Sequence, residues 1–337
     1  MTLRVAIVGT GKVAAQNYLP YLVQHKDIIL TYYNRSVDKA EAVAQQFGGR
    51  VADSLPALLA DDPDTVLVLT RETDRYQVAS ELLTLGPRRL FFEKPLVAQG
   101  GQAAVTEEDF TLAHTLLARA HTAGVETAMV FNYRFFEQTQ KAHELVQTHN
   151  LGRPVHFTGM VHYACWSHCI DLLLAFMGPV ATISGLAAPT VHSSCMGSEG
   201  VRDVTAALQM ANGATGTIIG TCSIDFKLPL YELTLAFEHG RITMRDLDGD
   251  LEFIDYTSER HITHALSRNV SRWDQYRASF GKAINAYLAT VREGAPPPVP
   301  GLAGLQELQF EAALKRSIAQ GIPIHLADAF PIQISSR

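Results

Sequence analysis

Several side chains that can bind anions or move protons stand directly after apolar runs of the sequence. The first group, Gly9-Thr10-Gly11-Lys12-Val13-Ala14, is a G-x-G-x-x-A loop that follows the apolar run 3–8. The first glycine of such a loop permits a tight turn, the second lets the backbone approach a pyrophosphate, and a small third residue lets helix pack on strand. Because a strand precedes the loop and a helix follows it, the pattern predicts a dinucleotide site rather than an ordinary strand-helix turn. The predicted cofactor-binding residues here are Gly9, Thr10, Gly11, Lys12 and Val13.

The end of the second apolar run, 28–33, carries Asn34-Arg35-Ser36. A site for NAD usually has a carboxylate at this point, which accepts a hydrogen bond from the ribose 2′-hydroxyl. A neutral residue, a fixed cation and a hydroxyl suit a 2′-phosphate instead. Asn34, Arg35 and Ser36 therefore predict NADP as the preferred cofactor, with NAD as the second choice. The alternative is that Arg35 is only a solvated loop charge.

A scaffold of alternating strands and helices is predicted to hold these groups. The predicted strands cover 3–8, 28–33, 65–70, 90–92 and 125–131, with helical stretches between them. Thr106–Asp109 reads as a capping box that opens one of the helices. Glu93 and Lys94 follow the strand 90–92, and ligands of open α/β sheets bind at the C-terminal ends of the strands. Residues 1–132 are therefore predicted to form an α/β dinucleotide-binding Rossmann domain.

The remainder of the chain has a different pattern. Short strand-like runs between residues 181 and 256 are separated by Asn212-Gly213, His239-Gly240 and Asp248-Gly249, which are typical of antiparallel hairpins. Helices are predicted over 137–148, 169–177, 273–292 and 302–319. Residues 133–337 are therefore predicted to form an α+β substrate-binding and oligomerisation domain with an open, mainly antiparallel sheet.

Bulk properties limit the class of protein. The chain has 337 residues, of which 47% are hydrophobic, and a formal net charge of -6, which disfavours a nucleic-acid partner. The first residues lack the apolar stretch of a signal peptide, and no run approaches the length of a membrane span, so we expect a cytoplasmic protein with no membrane partner. Cys165, Cys169, Cys195 and Cys222 are too few for a secreted disulfide framework, so reduced thiols are expected. Their spacing with His168 matches none of the usual zinc modules, and no metal is expected.

Five features together resemble the Gfo/Idh/MocA oxidoreductase family over almost the whole chain. They are the G-x-G-x-x-A start, Glu93-Lys94-Pro95, Phe131–Phe135, His168-x-x-Asp171 and Gly301-Leu302. The resemblance implies NAD(P)-dependent redox chemistry on sugars, inositols or their derivatives. It also implies a C-terminal sheet that often mediates oligomerisation, so we expect a homodimer or homotetramer.

The resemblance also assigns roles by position. Lys94 matches the lysine that contacts the reacting hydroxyl and the nicotinamide ribose, in a Lys-Pro bond that is often cis, and a cation there stabilises a developing alkoxide. His168 matches the catalytic histidine, although a histidine before an apolar helix also suits a cap or core residue. Arg134 can reach an anionic substrate group or form a salt bridge at the domain boundary, and Asp171 can orient His168 or bind substrate. The expected substrate-binding residues are Tyr133, Arg134, His162, Tyr163 and Asp171, and Thr70, Arg71, Glu93 and Lys94 complete the cofactor site.

Two positions depart from the family pattern. Ala164 stands where the family commonly has an aspartate, four residues before His168, so His162 or Tyr163 is expected to substitute for it. Glu72 stands where the family pattern T-P-N-x-x-H has its asparagine, which argues against the usual position of the nicotinamide.

The sequence leaves three functions open. The first is an NAD(P)-dependent dehydrogenase or reductase acting on a sugar, sugar nucleotide or cyclitol through Lys94 and His168. The second is an enzyme of the same scaffold whose retained cofactor supports redox-neutral elimination or glycoside cleavage. The third is a cofactor-binding sensor or assembly protein without turnover, which the departures at Ala164 and Glu72 suggest.

Overall fold

A computed structural model describes residues 2–192, 200–225, 227–265 and 271–334. The chain forms two compact units, each of which is built from more than one segment. The first unit contains Met1–Phe131, Phe280–Leu308 and Gln333–Arg337, and the second contains Asn132–Ser279 and Gln309–Ile332. The division into domains at residue 132 stays a prediction, and the structure adds that Phe280–Leu308 packs within the first unit.

A six-stranded parallel sheet forms the centre of the first unit. Its strands are β1 (Leu3–Val8), β2 (Ile28–Tyr33), β3 (Arg50–Val51), β4 (Thr65–Val68), β5 (Arg89–Phe92) and β6 (Glu126–Met129). They lie in the order β3-β2-β1-β4-β5-β6, and every neighbouring pair is parallel. The strand order reverses between β1 and β4, so a crevice opens at their C-terminal ends. This topology confirms the predicted Rossmann fold.

Helices cover this sheet. They are α1 (Leu19–Leu22), α2 (Val37–Phe47), α3 (Leu55–Leu59), α4 (Glu72–Thr84) and α5 (Glu107–Ala123). The predicted capping box is confirmed, because Thr106 accepts a hydrogen bond from the Asp109 amide while the Asp109 side chain accepts one from the Thr106 amide. After the glycine loop the structure differs from the prediction, because Ala14–Tyr18 is a π-helical segment that continues into α1.

A nine-stranded sheet dominates the second unit. Its strands are β7 (Pro154–His162), β8 (Val180–His192), β9 (Val201–Met210), β10 (Thr215–Thr221), β11 (Tyr231–Phe237), β12 (Gly240–Arg245), β13 (Leu251–Asp255), β14 (Arg260–His264) and β15 (Ile324–His325). Their order is β14-β13-β12-β11-β7-β10-β9-β8-β15. Only β7 and β10 pair in parallel, which confirms the mainly antiparallel sheet.

The helices of the second unit include the one that carries His168 and Asp171. α6 (Glu137–Thr148) and α7 (Trp166–Met177) lie wholly in this unit, as does the short α10 (Leu326–Ala329). α8 (Arg272–Glu293) and α9 (Gly301–Gln320) contribute residues to both units. Short 3-10 turns at Asn132–Phe135 and Tyr163–Cys165 carry several of the predicted site residues.

Two sequence expectations concern the membrane and the cysteines. No helix in the described part of the chain combines the length and the apolar content that crossing a membrane needs. Cys165 and Cys169 are buried, and neither is part of a disulfide bond. Cys222 is disulfide-bonded, so the expectation that all the thiols are reduced was wrong for this residue. Cys195 lies outside the described residues.

Candidate active site

The glycine loop lies at the switch point of the parallel sheet. Gly9 has φ +97, and a Cβ added there would lie 2.7 Å from the Thr70 amide nitrogen, so only glycine fits this close approach of the β1 and β4 ends. A Cβ added at Gly11 would meet no atom within 4 Å. The loop is therefore tight on its sheet side and open at Gly11, as a backbone that receives a pyrophosphate requires.

Two hydroxyls at this switch point support the same site. The Oγ1 atoms of Thr10 and Thr70 are buried and have no hydrogen-bond partner among the described residues. A buried hydroxyl without a partner costs free energy, so such groups commonly face a ligand or an ordered water. The open space at Gly11 and these two hydroxyls fit the polar edge of a dinucleotide.

The end of β2 is joined to the glycine loop by Asn34. The Thr10 amide donates to Asn34 Oδ1 over 3.2 Å, and Asn34 Nδ2 donates to the Ser36 carbonyl over 3.0 Å. Both ends of this side-chain amide are therefore engaged within the protein. Arg35 is exposed and makes no ion pair within the ranges that the structure covers, so its guanidinium is available to an anion.

The end of β5 is built around the buried carboxylate of Glu93. Its Oε1 accepts from the Tyr18 hydroxyl over 2.7 Å, and its Oε2 accepts from the Lys94 amide over 3.0 Å. Burial raises the pKa of Glu93, while these donors and the charge of Arg75 oppose that rise. Glu93 thus fixes the Lys94 backbone, and both of its oxygens are already bound to protein groups.

Arg75 organises the same region, and the sequence analysis did not single it out. Its side chain is 2% exposed, and its guanidinium donates to the carbonyls of Thr70 over 2.7 Å, Glu93 over 2.6 Å and Pro95. These carbonyls follow β4 and β5, so one side chain joins the two strand ends beside Lys94. The sequence did carry a signal for it, because Arg75 stands at the position where the family pattern T-P-N-x-x-H has its histidine.

Lys94 directly follows Glu93 in the chain, and its side chain is half-buried. The Lys94-Pro95 peptide bond is cis, and Lys94 Nζ donates to Gln102 Oε1 over 3.0 Å. Glu72 and Arg71 begin α4, and Arg71 pairs with Asp74 at 3.5 Å. The predicted cofactor and lysine residues are therefore brought to one edge of the parallel sheet.

In the second unit His168 lies in the first turn of α7 and packs against Tyr133. The two rings stack with 4.1 Å between centroids and 12° between planes, and His168 is 2% exposed. The Tyr133 hydroxyl donates to Cys165 Sγ over 3.2 Å. Burial raises the pKa of Tyr133 well above its ordinary value, so this residue is a neutral wall for the histidine ring rather than a proton acceptor.

Arg134 and Asp171 form a bidentate ion pair in the same unit. Arg134 Nε and Nη2 donate to the two carboxylate oxygens of Asp171 over 2.7 and 2.6 Å. Burial raises the pKa of Asp171, and Arg134 opposes that rise. Both partners belong to the second unit, so this pair holds the helix α7 on the 132–135 turn within that unit.

The two candidates for the role of the missing aspartate differ in their bonding. His162 Nδ1 accepts from the Ala164 amide over 3.0 Å, which requires that this nitrogen carry no proton, and burial lowers the pKa of His162. Its proton is therefore on Nε2. The Tyr163 hydroxyl donates to the Arg202 carbonyl over 2.5 Å, and burial raises the pKa of Tyr163. The Tyr163 hydroxyl is thus bound to the sheet, and which of the two residues replaces the aspartate stays a prediction.

Metal chemistry has no evident site in the part of the chain that the structure describes. Within it, no group of three or more histidine, cysteine, aspartate or glutamate side chains is arranged to hold a metal ion. Cys165 and Cys169, which flank His168, are buried, and burial raises the pKa of Cys169 well above its ordinary value. Burial therefore favours the protonated form of this thiol.

Comparison with known proteins gives a sequence relative over part of the chain and many similar folds. A D-glucoside 3-dehydrogenase of Escherichia coli (strain K12) is 29% identical over 153 residues, which are 44% of this chain and 40% of that relative. The match thus spans less than half the length of the curated relative.

Solved structures share the fold over nearly the whole chain. An oxidoreductase from Agrobacterium radiobacter in complex with NAD+, L-tartaric acid and magnesium has a TM-score of 0.79 at 17% identity, covering 97% of this chain and 99% of its own. A levoglucosan dehydrogenase in complex with NADH and levoglucosan has a TM-score of 0.78 at 14% identity, covering 97% and 100%.

A family model matches the unit that carries the glycine loop and Lys94. It describes an oxidoreductase family with an NAD-binding Rossmann fold, and it matches residues 3–116. The same residues contain the switch-point crevice, the buried Glu93 and the cis Lys94-Pro95 bond. The predicted resemblance to the Gfo/Idh/MocA oxidoreductase family is thus confirmed over residues 3–116, which match that family's model.

Proposed function

We propose that this protein is an NAD(P)-dependent dehydrogenase that transfers a hydride between a nicotinamide and a hydroxyl-bearing carbon of a sugar, sugar derivative or cyclitol. The observation that carries the proposal is the end of β5, where buried Arg75 and Glu93 fix Lys94 beside the crevice of the parallel sheet. The D-glucoside 3-dehydrogenase relative and the levoglucosan complex of a similar fold support a carbohydrate as the substrate.

In the proposed reaction each residue has one task. A bound nicotinamide supplies the hydride acceptor. The Lys94 ammonium stabilises the negative charge that grows on the substrate oxygen as the carbon loses hydride. The His168 ring accepts the hydroxyl proton, because the usual aspartate is replaced by Ala164. Tyr133 keeps the His168 ring in one plane, so that the imidazole is oriented before substrate arrives.

We propose NADP as the preferred cofactor. Asn34, whose side-chain amide is engaged by Thr10 and Ser36, brings no carboxylate that would repel a 2′-phosphate. The exposed Arg35 adds a cation that has no ion-pair partner among the residues described. Arg35→Ala should therefore remove the preference, while a wild-type protein that binds NAD more tightly than NADP contradicts it.

We propose a homodimer or homotetramer formed through the nine-stranded sheet. One face of this sheet is open in the single chain and carries Met160 at 51% and Leu186 at 73% exposure. Exposed apolar side chains on a flat sheet are typical of protein interfaces. Sedimentation of wild-type and Leu186→Lys protein tests this, with a monomeric wild type as the contrary result.

The experiment that tests the enzymatic proposal compares two lysines. Lys94→Ala should lose turnover on a panel of sugars by about 10²–10⁴-fold, as expected for loss of charge stabilisation or proton transfer. Its affinity for the cofactor should fall much less. Lys26→Ala is the matched control, because Lys26 is exposed and precedes β2, at the opposite edge of the sheet. Equal turnover of both variants would overturn the proposal.

A further inference from the structure

We propose that Tyr18 is a positioning residue for Lys94 and acts on it through the Glu93 carboxylate. This inference rests on the proposed dehydrogenase function, in which the Lys94 ammonium stabilises the charge that grows on the substrate oxygen. Tyr18 is 0% exposed and its hydroxyl donates to a protein group, so it is not itself a catalytic residue. Its task is to hold the Glu93 carboxylate in one orientation.

The helical segment after the glycine loop changes its winding just before Tyr18. The Ala15 amide donates to the Gly11 carbonyl, four residues earlier, over 3.1 Å, as in an ordinary α-helix. The Leu19 amide donates instead to the Ala14 carbonyl, five residues earlier. The extra residue in this π-helical turn rotates the side chains about the helix axis, and such turns are frequent at functional sites. Tyr18 is the last residue of the turn and is fully buried.

Two ring contacts fix the direction of the Tyr18 side chain. Its ring meets the Phe91 ring edge-on at 5.9 Å between centroids and the Phe280 ring edge-on at 5.8 Å. Its hydroxyl extends to Glu93, two residues beyond Phe91, and donates to Oε1 over 2.7 Å. All four residues belong to the first unit. The ring contacts do not depend on the hydroxyl, so the hydroxyl can be removed without removing the packing.

Glu93 connects this restraint to Lys94 through its second carboxylate oxygen. Oε2 accepts from the Lys94 amide over 3.0 Å, and the Arg75 guanidinium donates to the Glu93 carbonyl over 2.6 Å. Burial raises the pKa of Glu93, whereas the Tyr18 bond and the charges of Arg75 and Lys94 lower it. These three side chains face Glu93 from the π-helical turn, from α4 and from its own strand end. Loss of the Tyr18 hydroxyl therefore raises this pKa, and a protonated carboxyl accepts the Lys94 amide less strongly.

The test removes only the hydroxyl, in Tyr18→Phe. At neutral pH, kcat should fall about 10-fold to 100-fold, while KM for the sugar and the affinity for the cofactor change by less than about threefold. Because Glu93 is ionised above its pKa, the loss of kcat relative to the wild type should grow as the pH falls and shrink as the pH rises. Tyr287→Phe is the matched control, because Tyr287 is also buried, also contacts the Phe91 ring, and shares a hydrogen bond of 2.6 Å with Thr65.

A double variant shows whether the effect passes through Glu93. Glu93→Gln keeps the shape of the side chain but cannot ionise. Adding Tyr18→Phe to Glu93→Gln should therefore lower kcat by less than about threefold further. Losses of kcat that simply multiply would overturn the proposal. Equal kcat and equal pH dependence of Tyr18→Phe and Tyr287→Phe would overturn it as well.

Nuclear magnetic resonance separates failure of this proposal from failure of the proposed function. In protein made with isotope-labelled lysine, the Lys94 amide signal is identified by its absence from Lys94→Arg. Tyr18→Phe should move this signal and make its position depend on pH, whereas Tyr287→Phe should leave it in place. If the wild type turns over no sugar, the dehydrogenase function fails and this signal alone decides the role of Tyr18. A Lys94 amide signal that is unmoved in Tyr18→Phe overturns that role.

Discussion

The two compact units hold their proposed catalytic side chains by different means. In the first unit, Lys94 follows the end of β5, where two buried charged side chains bind backbone atoms. Arg75 donates to backbone carbonyls, and Glu93 accepts from the Lys94 amide. In the second, His168 is held by a ring, Tyr133, in surroundings where burial keeps the tyrosine neutral. The first arrangement suits a residue that must carry charge permanently, and the second suits one that must gain and lose a proton.

The largest effect should come from removing the proton acceptor. His168→Ala should lower turnover by about 10²–10⁴-fold, because it removes the ring that is proposed to accept the substrate proton. His156→Ala is the matched control, since His156 is exposed on β7. If both variants keep wild-type turnover in a steady-state assay of reduced cofactor, His168 is not the proton acceptor and the contrast between the two units is wrong.

A second effect should appear in cofactor binding. Gly11→Val places side-chain atoms where the protein leaves space, so cofactor affinity should fall by about 10²-fold or more, because the pyrophosphate can no longer approach the backbone. The midpoint of thermal unfolding should stay close to that of the wild type, since a Cβ at Gly11 meets no protein atom within 4 Å. Calorimetric titration that finds unchanged affinity would contradict the cofactor site.

A smaller effect is expected at the framework of the first unit. Arg75→Lys keeps the charge but cannot reach three carbonyls in one plane, so Lys94 should be less well positioned and kcat should fall about 10-fold to 100-fold. KM for the sugar should change less than kcat. Arg119→Lys is the matched control, because Arg119 donates one side-chain hydrogen bond to a carbonyl, that of Ser80. An Arg75→Lys enzyme whose kcat equals that of the control would show that this framework does not position Lys94.

The smallest effect concerns pH and the second unit. The folded-state pKa of His162 lies below its unfolded value of about 6.5, so the free energy of unfolding should be highest above that pH and should decrease as the pH falls below it. The contribution of one histidine is at most about 1.4 kcal/mol per pH unit. Denaturant unfolding between pH 8 and 5.5 should show a shallower decrease for His162→Gln. An identical pH dependence of both proteins would contradict the neutral His162.

The sequence predicted those parts of the fold that local patterns encode. The apolar runs of β1 and β2 and the glycines at 9 and 11 are contiguous signals, and their strands begin and end where expected. The short strand β3 and the polar edge strand β14 were not predicted, because two residues carry no periodicity and the β14 strand Arg260–His264 lacks an apolar face.

The sequence indicated candidate site residues but not the side chains that hold them in place. Lys94 and His168 stand out in the sequence because they follow or open apolar runs. The bonds that position them join residues far apart in the chain, such as Tyr18 with Glu93 and Tyr133 with His168. Arg75 was missed for the same reason, since its carbonyl partners Glu93 and Pro95 lie 18 and 20 residues away in the chain.

Hydride transfer itself is the central claim, and an isotope tests it most directly. A sugar that the wild type consumes is labelled with deuterium at the carbon that is oxidised, and the reduced nicotinamide is analysed by mass spectrometry after a single turnover. We predict that the deuterium appears in the nicotinamide with the wild type, and at a rate about 10²–10⁴-fold lower with Lys94→Ala. Sugar consumed without deuterium in the nicotinamide, or transfer at equal rates in both proteins, would contradict the account.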